Sequence, residues 1–303
     1  MIKLRNLDPS LVGHINAMGA IGFEQLLTQR VNYSESKIYY VDAHNGSDTN
    51  VGDSPATALA SIAQAVTLSN ARIDWTESPW ARQDTIIVFP GVYAENITSL
   101  PYGGKIIGLG DRWDANGEMG VKIKPASGAP IDCASVINLH LENVWLESPD
   151  ASTVFEADTL NRCVFKNVHF QGLPGASNTT LRGLDVTHDM TGNLLLGCTF
   201  WQCATGIYID VDGPHQIVGT IFDKCFVGGA ETAGFYAVSL NTPAFVFAYD
   251  CVFGDNSVTC ANPWYDGDSA ITPVNCAFIG TTITPATGAG YYSNCYHNGA
   301  LVA

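Results

Sequence analysis

Asn143-Val144-Trp145-Leu146 is the first copy of a short phrase that recurs through the rest of the chain. Successive copies start 24, 30, 27, 26, 25 and 19 residues apart. Apolar residues alternate within the copies, which is the periodicity of a β-strand. A repeat of this length predicts a solenoid-like chain in which each copy buries one face on its neighbours. The later copies are Asn167-Val168-His169-Phe170, Gly197-Cys198-Thr199-Phe200, Lys224-Cys225-Phe226-Val227, Asp250-Cys251-Val252-Phe253, Asn275-Cys276-Ala277-Phe278 and Asn294-Cys295-Tyr296.

The repeat length and the strand periodicity together predict the fold. Leucine-rich repeats are similarly long, but they follow a Leu-x-x-Leu-x-Leu frame that this sequence lacks. A strand-only coil of about 25 residues per turn is a single-stranded parallel β-helix, so we predict an all-β solenoid of about nine or ten turns. The predicted parts are an N-terminal arm over residues 1–37, the coil over residues 38–287, and a C-terminal cap or tail over residues 288–303.

Composition and charge exclude several classes of partner. The chain has 303 residues, 46% of them hydrophobic, and a net charge of −15, which disfavours nucleic acid and anionic membranes. No apolar run approaches the length of a membrane span, and the N-terminus lacks the pattern of a Sec export signal. From residue 126 onward, four basic residues face sixteen acidic ones, so a groove there would not attract an acidic polysaccharide.

Five of the nine cysteines fall at one position of the repeat. We predict a stack of small buried hydrophobic side chains, because unpaired cysteine is among the most buried residue types. A disulfide between neighbouring turns stays open as an alternative, although it needs a close approach of the two Cβ atoms. Without a Cys-x-x-Cys pair, no metal site or cofactor is predicted. The stack comprises Cys198, Cys225, Cys251, Cys276 and Cys295.

An asparagine precedes the inward residue in four copies of the phrase. Asparagine tolerates the left-handed conformation of a tight bend, and stacked amides can hydrogen-bond along the coil. We therefore predict a structural ladder of Asn143, Asn167, Asn275 and Asn294.

The N-terminal arm has a different pattern from the rest of the chain. Asp8-Pro9 is a typical helix start, and Leu11, Ile15, Met18 and Leu26 could then line one side of a helix. Three interspersed glycines make such a helix marginal in isolation. We expect the arm to dock, either on a partner protein or back on its own coil.

Residues 38–125 carry motifs of a known superfamily. The motifs are Val41-Asp42-Ala43 with Asn45-Gly46-Ser47-Asp48, the step Ser54-Pro55-Ala56-Thr57 into a short amphipathic helix, and Ile86-Ile87-Val88 before Pro90-Gly91-Val92-Tyr93. This stretch resembles the N-terminal part of pectate-lyase-like right-handed parallel β-helices. The resemblance implies a right-handed coil whose first strand edge is shielded by the helix. The superfamily includes lyases, hydrolases, phage tailspikes and non-catalytic virion proteins, so the resemblance implies the fold and leaves the activity open.

No active site is evident in the sequence. For a polyuronate lyase the resemblance implies clustered carboxylates with Ca²⁺ and an arginine base, yet no carboxylate triplet is in evident register with Arg162 or Arg182. A glycosidase needs two carboxylates about 5 to 10 Å apart. Asp210 and Asp212 are the best-spaced pair, about 6 to 7 Å apart on one strand face. We expect surface acids there and in the pair Asp266 and Asp268 and the cluster Asp185, His188 and Asp189, so Asp210 and Asp212 are only weak catalytic candidates.

Aromatic residues at outward repeat positions are the remaining candidates for binding. Trp145, His169 and Thr199 share a position that alternates with the core residues, and Trp201, Trp264 and Tyr265 are further aromatic candidates. Such rings stack on sugars or bury themselves in a subunit interface, and we favour the interface, with Trp145 and Trp201 as contacts.

These features favour a non-enzymatic protein on the surface of a virus or phage particle, of capsid-decoration, cement or head-fibre type. We expect a homotrimer that attaches to the major capsid protein or another virion protein through its arm. The alternatives are a phage tailspike that binds or depolymerises host surface glycan, and a secreted polysaccharide lyase or hydrolase.

Overall fold

The chain forms a parallel β-helix, as the repeat predicts. The computed structural model describes residues 36–72, 83–110, 120–150, 152–173, 181–209, 217–223, 225–228, 235–240, 244–254, 260–262, 264–266, 270–280, 283–284 and 293–301. Within these residues the strands build three ladders that run along the coil, and strands next to each other in a ladder come from successive turns and are parallel. None of the helices described is long and apolar enough to cross a membrane.

In the first ladder, each strand pairs in parallel with the corresponding strand of the next turn. It consists of β1 (Ile38–Val41), β2 (Thr85–Val88), β4 (Lys105–Gly108), β7 (His140–Glu142), β10 (Val164–Lys166), β13 (Leu194–Leu196), β16 (Ile217–Asp223), β19 (Ala244–Tyr249) and β23 (Ala270–Val274).

The second ladder follows the first after one bend in each turn. It consists of β3 (Gly91–Tyr93), β5 (Val121–Ile123), β8 (Val144–Glu147), β11 (His169–Gln171), β14 (Thr199–Trp201), β17 (Phe226–Gly228), β20 (Val252–Gly254), β24 (Ala277–Ile279), β26 (Tyr296–His297) and the antiparallel β27 (Ala300–Leu301).

The third ladder completes each turn. Pairing of β12 with β16 joins the third ladder to the first in a 17-stranded sheet, while the second ladder is a separate 10-stranded sheet. Its strands are β6 (Ile131–Ile137), β9 (Phe155–Asn161), β12 (Arg182–Thr191), β15 (Thr205–Ile209), β18 (Phe235–Leu240), β21 (Cys260–Asn262), β22 (Trp264–Asp266) and β25 (Ile283–Thr284).

The bend between the first and second ladders is a single residue in the left-handed conformation. From Asn143 onward its φ angle is between 51° and 62° on every rung where the structure describes it. Asparagine suits this conformation, and its side chain adds a bond between rungs. The Asn167 amide donates to the Asn143 side-chain oxygen at 3.2 Å, and the Asn294 amide donates to that of Asn275 at 2.7 Å. Gly197 occupies the bend after Asn167, so it cannot extend this series of side-chain bonds.

The buried hydrophobic side chains of the described residues form one continuous cluster inside the coil. Phe170 and Phe200 stack on successive rungs with ring centroids 4.4 Å apart, and Phe155 meets Phe165 edge to face at 5.3 Å. All four rings are fully buried. Truncating one of them to alanine is expected to cost about 3–5 kcal/mol, the usual price of an aromatic cavity in a packed core.

One helix covers the first turn of the coil. Helix α1 (Ile62–Asn70) packs Ile62, Ala65 and Val66 inward. Its N-terminus is closed by Ser61, which accepts a bond from the Gln64 amide, and by Glu95, which accepts the amides of Ile62 and Ala63 at 2.8 and 2.9 Å. A carboxylate at this end offsets the helix dipole and satisfies free amides.

The acidic loop before this helix is structural. The Asp42 carboxylate accepts the amides of His44 and Asn45, which holds the turn after β1. The Asp48 carboxylate accepts the amides of Ala60 and Ser61, which leads the chain into α1. The motif that carries the superfamily resemblance is therefore a set of turn and cap bonds.

At the other end, the coil extends past residue 287. Strand β26 pairs in parallel with β24, which adds one more rung to the second ladder. Strand β27 then folds back antiparallel on β26 and closes that ladder. Residues 1–35 of the arm, including Leu11, Ile15, Met18 and Leu26, lie outside the described residues.

Candidate functional site

The outer face of the third ladder carries three stacked acids. Asp132 on β6 pairs in register with Glu156 on β9, and Glu156 pairs in register with Asp185 on β12. Neighbouring strands lie about 4.8 Å apart, so the three carboxylates occupy one column on successive rungs. We call these three residues the acid ladder.

Arg182 closes one end of the acid ladder. Its guanidinium is 2.5 Å from the Asp185 carboxylate, and Asp185 is only 5% exposed. The same guanidinium lies 3.4 Å from the ring centroid of Tyr208. Tyr208 occupies the next rung in register with Asp185, so the sheet itself places the ring beneath the cation. The result is a charge pair held between a strand and an aromatic ring.

The acids of this ladder have different electrostatic surroundings. Partial burial and the neighbouring carboxylates of Asp132 and Asp185 raise the pKa of Glu156, and Arg182 opposes this effect. Asp185, by contrast, is in direct contact with the guanidinium. Two carboxylates with opposed surroundings can divide the roles of proton donor and ionised group. That is the chemistry this site can supply.

Polar residues border the acid ladder. The Thr187 hydroxyl donates to Asp158 at 3.0 Å, and His188 lies 3.8 Å from the same carboxylate. Asp189 accepts bonds from Asn161 and Thr191. In the part of the chain that the structure describes, no three His, Cys, Asp or Glu side chains are arranged to hold a metal ion.

The structure corrects the expectation that no carboxylate triplet is in register with an arginine. Asp132, Glu156 and Asp185 form such a triplet beside Arg182. The repeat phrase covers only the bend and the second ladder, so aligning the sequence on it gave no register for the third. The signal was present as alternation in Ile131-Asp132-Cys133 and Phe155-Glu156-Ala157. Arg162 is elsewhere, in a left-handed bend with φ of 55° between the third and first ladders.

The remaining acidic candidates give a mixed picture. Asp210 and Asp212 lie outside the described residues, as does Asp268. Asp185, expected at the surface, is buried in the acid ladder, whereas His188 is exposed. The acid ladder therefore contains one member, Asp185, of the cluster Asp185, His188 and Asp189. The two weak catalytic candidates, Asp210 and Asp212, are not among the described residues.

The outward column on the second ladder is less accessible than the sequence suggested. Trp145, His169 and Thr199 do occupy one register position, with Lys122 on the rung before. His169 was expected to be an exposed aromatic, but it is 3% exposed, and Thr199 is 6% exposed. The His169 ring meets the edge of Trp145 at 4.4 Å and shares a 3.0 Å hydrogen bond with Gln171.

The two tryptophans favoured as partner contacts are only partly exposed. Lys122 lies 4.4 Å from the Trp145 ring centroid and also donates a 2.8 Å hydrogen bond to Glu147, so Lys122 and His169 together cover part of the Trp145 ring. Trp201 lies on β14, in register with Gln171. Trp264 lies on β22 in the third ladder.

The five predicted cysteines form one buried column. Each is at most 2% exposed, and all five are free thiols. Val144 and Val168 fill the same column on earlier rungs, since each also follows the bend directly, and both are fully buried. Most of these thiols donate to a first-ladder carbonyl, as Cys225 does to Leu195 at 3.3 Å. Burial raises the pKa of Cys225 well above its ordinary value.

The comparisons with known proteins establish the fold. No family model matches this sequence, and a comparison with curated proteins finds no match. The solved structure of pectate lyase Pel9A superposes with a TM-score of 0.52 and 11% identity, covering 86% of this chain and 74% of that one. Pectin methylesterase PemA from Erwinia chrysanthemi superposes with a TM-score of 0.50 and 11% identity, covering 87% and 84%.

A third solved structure is viral. The ORF18 protein of Geobacillus virus E2 covers 92% of this chain and 63% of its own, with 11% identity and a TM-score of 0.49, which is too low to support an inference about function. The first two likenesses show that this chain has the right-handed parallel β-helix fold of those two enzymes. At 11% identity they show the fold alone.

Proposed function

We propose that this chain is a non-enzymatic protein of the surface of a virus or phage particle, of capsid-decoration, cement or head-fibre type. In this proposal three copies form a rigid projection, and residues 1–37 attach it to the major capsid protein or another virion protein. The pattern of Leu11, Ile15, Met18 and Leu26 supports a docking role for the arm.

The observation that carries this proposal is the long hydrophobic interior formed by the described residues. Buried side chains run from Tyr39 on the first described turn to Cys295 before the last parallel strand. Nine parallel strands of the second ladder, at about 4.8 Å per rung, make a stiff rod about 40 Å long. Stiffness and outer contact area are what a projection needs from its fold.

The test is attachment to purified particles. Deleting residues 1–36 is expected to leave a folded, soluble coil that no longer joins the particle, since the coil begins at Ile38. Circular dichroism and thermal melting of the truncated and full-length proteins provide the control for folding. Normal occupancy by the truncated protein would place attachment on the coil. Absence of the full-length protein from particles that its own virus produces would refute the proposal.

A second function, cleavage of host surface glycan by a tailspike, is favoured by the acid ladder. The rung spacing of about 4.8 Å is close to the roughly 5 Å between the two carboxyl groups of retaining glycosidases. Glu156, with its raised pKa, would protonate the leaving oxygen, and Asp185, paired with Arg182, would act as the ionised carboxylate. A secreted lyase or hydrolase is supported by the fold alone.

Reducing-end release from host polysaccharide separates these functions. We expect none from the purified protein. If release occurs and falls on the order of 10²–10⁴-fold in Glu156→Gln, the acid ladder is an active site and the non-enzymatic proposal is wrong. Asp158→Asn on the same strand is the matched control. Loss that follows Asp210→Asn with Asp212→Asn instead would move the site to the pair first favoured by sequence.

A further inference from the structure

Two outer faces of the coil become apolar toward its C-terminal end. On the first ladder, the backbone register aligns Leu194 with Phe247 two rungs further on, and it aligns Leu196 with Tyr249 in the same way. On the second ladder, Val252, Ala277 and Tyr296 share a column, and Ile279 lies beside them. We call this set the apolar strip: Leu194, Leu196, Phe247, Tyr249, Val252, Ala277, Ile279 and Tyr296.

All eight side chains of the apolar strip are at least partly exposed. Tyr249 is 37% exposed and Tyr296 is 43% exposed, while Leu301, paired with Tyr296, is 63% exposed. Phe247 and Tyr249 stack with ring centroids 6.5 Å apart, which presents a flat aromatic surface. Contiguous apolar surface of this kind usually marks a contact with another molecule.

The charge of the chain limits where two copies can meet. The chain carries a net charge of −15, so two copies repel each other unless the contact surface is nearly neutral. From Thr199 to Leu301 the strands of the second ladder contain no Asp, Glu, Lys or Arg. Among the described bends beside the strip, only the one at Asp250 carries a charge. The third ladder differs, because its outer face carries the three carboxylates of the acid ladder.

The position of the apolar strip at a corner of the coil sets the symmetry. Its two halves lie on either side of the bend between the first and second ladders, and the bend is one residue long at Asp250 and Asn275. A contact between the first-ladder half of one copy and the second-ladder half of the next is heterologous. Such contacts form a ring when the rotation closes.

We infer that the apolar strip is the surface on which copies of this chain meet, first ladder against second ladder around a closed ring. The inference rests on the trimer in the proposed function and deepens it by naming the faces in contact. It also moves the contact toward the C-terminal rungs, away from Trp145, whose ring is covered by Lys122 and His169.

The test uses a charge placed on the strip and the same charge placed elsewhere on the same ladder. Tyr296→Glu adds a charge at a 43% exposed position, and Val92→Glu adds it at a 42% exposed outward position on β3. Leu194→Glu tests the first-ladder half. Sedimentation velocity of the full chain at micromolar concentration measures mass, and thermal melting checks the fold.

We expect the unmodified protein and Val92→Glu to sediment as trimers. Tyr296→Glu and Leu194→Glu should each weaken association at least about tenfold, because each buries an unpaired charge next to an acidic partner. Trimers that persist in both strip variants would overturn the inference, as would equal dissociation in Val92→Glu. A monomeric unmodified protein found on particles would overturn it while leaving virion attachment intact. A trimer that never joins particles would refute the proposed function and leave the strip assignment standing.

Discussion

On the third ladder, Asp132, Glu156 and Asp185 occupy one register position on three successive rungs. On the second ladder, the outward residues Val252, Ala277 and Tyr296 of the last three parallel rungs are all uncharged. Both faces are built on the same coil and enclose the same interior. The coil therefore fixes only the spacing of the rungs, and the outward residue of each strand decides what a face can do.

The difference separates two kinds of contact. The third-ladder face concentrates negative charge, holds it with Arg182, and offers hydroxyl and carboxyl groups to a polar ligand. The second-ladder face toward the C-terminus offers flat apolar surface to a neutral partner. Copies of a strongly acidic chain repel each other least when they meet on the second kind of face.

The largest effect concerns the interior that both faces share. If the cysteine column is a stack of buried thiols, the native protein should react with a thiol reagent on the order of 10³-fold more slowly than the urea-unfolded protein, since reaction needs opening of the coil. Timed mass spectrometry at Cys198, Cys225, Cys251, Cys276 and Cys295 measures this. Rapid labelling of the native column, or loss of the fold on mild reduction, would contradict a column of buried free thiols.

The next effect tests the charged face. Arg182→Ala leaves Asp185 buried without its guanidinium, and we expect a loss of about 2–4 kcal/mol in the free energy of unfolding at pH 7. Lys166→Ala is the matched control, because Lys166 pairs with Glu142 at 2.7 Å on the first ladder but is 41% exposed. An exposed pair should contribute less than about 1 kcal/mol. Equal losses in the two variants would show that Asp185 is solvated.

The sequence predicted most of the architecture because the coil repeats its own constraints. Strand alternation, the left-handed asparagine bends and the buried cysteine column are local patterns, and each recurs on enough turns to be recognised. The cap helix was predicted from Ser54-Pro55 and the apolar spacing that follows it. Its closure by Glu95 was not predicted, because that residue is distant in sequence and reaches the helix only through the turn of the coil.

The candidate site was harder to predict because it depends on register between turns of unequal length. Asp132, Glu156 and Asp185 are 24 and 29 residues apart, and a one-residue error in either interval moves an acid to the inner face. The burial of His169 was missed for a related reason. An outward side chain is exposed only if the neighbouring side chains on the same face do not cover it. Trp145 and Gln171 both contact His169 and cover it.

The smallest effect compares two glutamates whose pKa values move in opposite directions. Partial burial and the carboxylates of Asp132 and Asp185 raise the pKa of Glu156 in the folded protein. For Glu142 on the first ladder, burial acts in the same direction, but hydrogen bonds from Lys166 and His140 lower its pKa overall. A glutamate with a raised folded pKa binds its proton more tightly in the folded protein. Its contribution to the stability of the protein is therefore lost as pH rises through that pKa. A glutamate with a lowered pKa contributes stability that is present above its unfolded pKa and is lost as pH falls.

Glu156→Gln should therefore stabilise the protein at pH 7, by a few tenths of a kcal/mol at most because water screens so exposed a group. The gain should vanish below about pH 4, where the unfolded glutamate is also protonated. Glu142→Gln should show the reverse sign at pH 7, and part of that difference should remain at pH 4, because it is lost only as pH falls through the lowered folded pKa of Glu142. Urea unfolding of the three proteins at pH 7 and pH 4 measures both. A Glu156→Gln variant that is less stable than the parent at pH 7 would mean that the acid ladder is held by attractive contacts, and the contrast between the two faces would then lie in shape more than in charge.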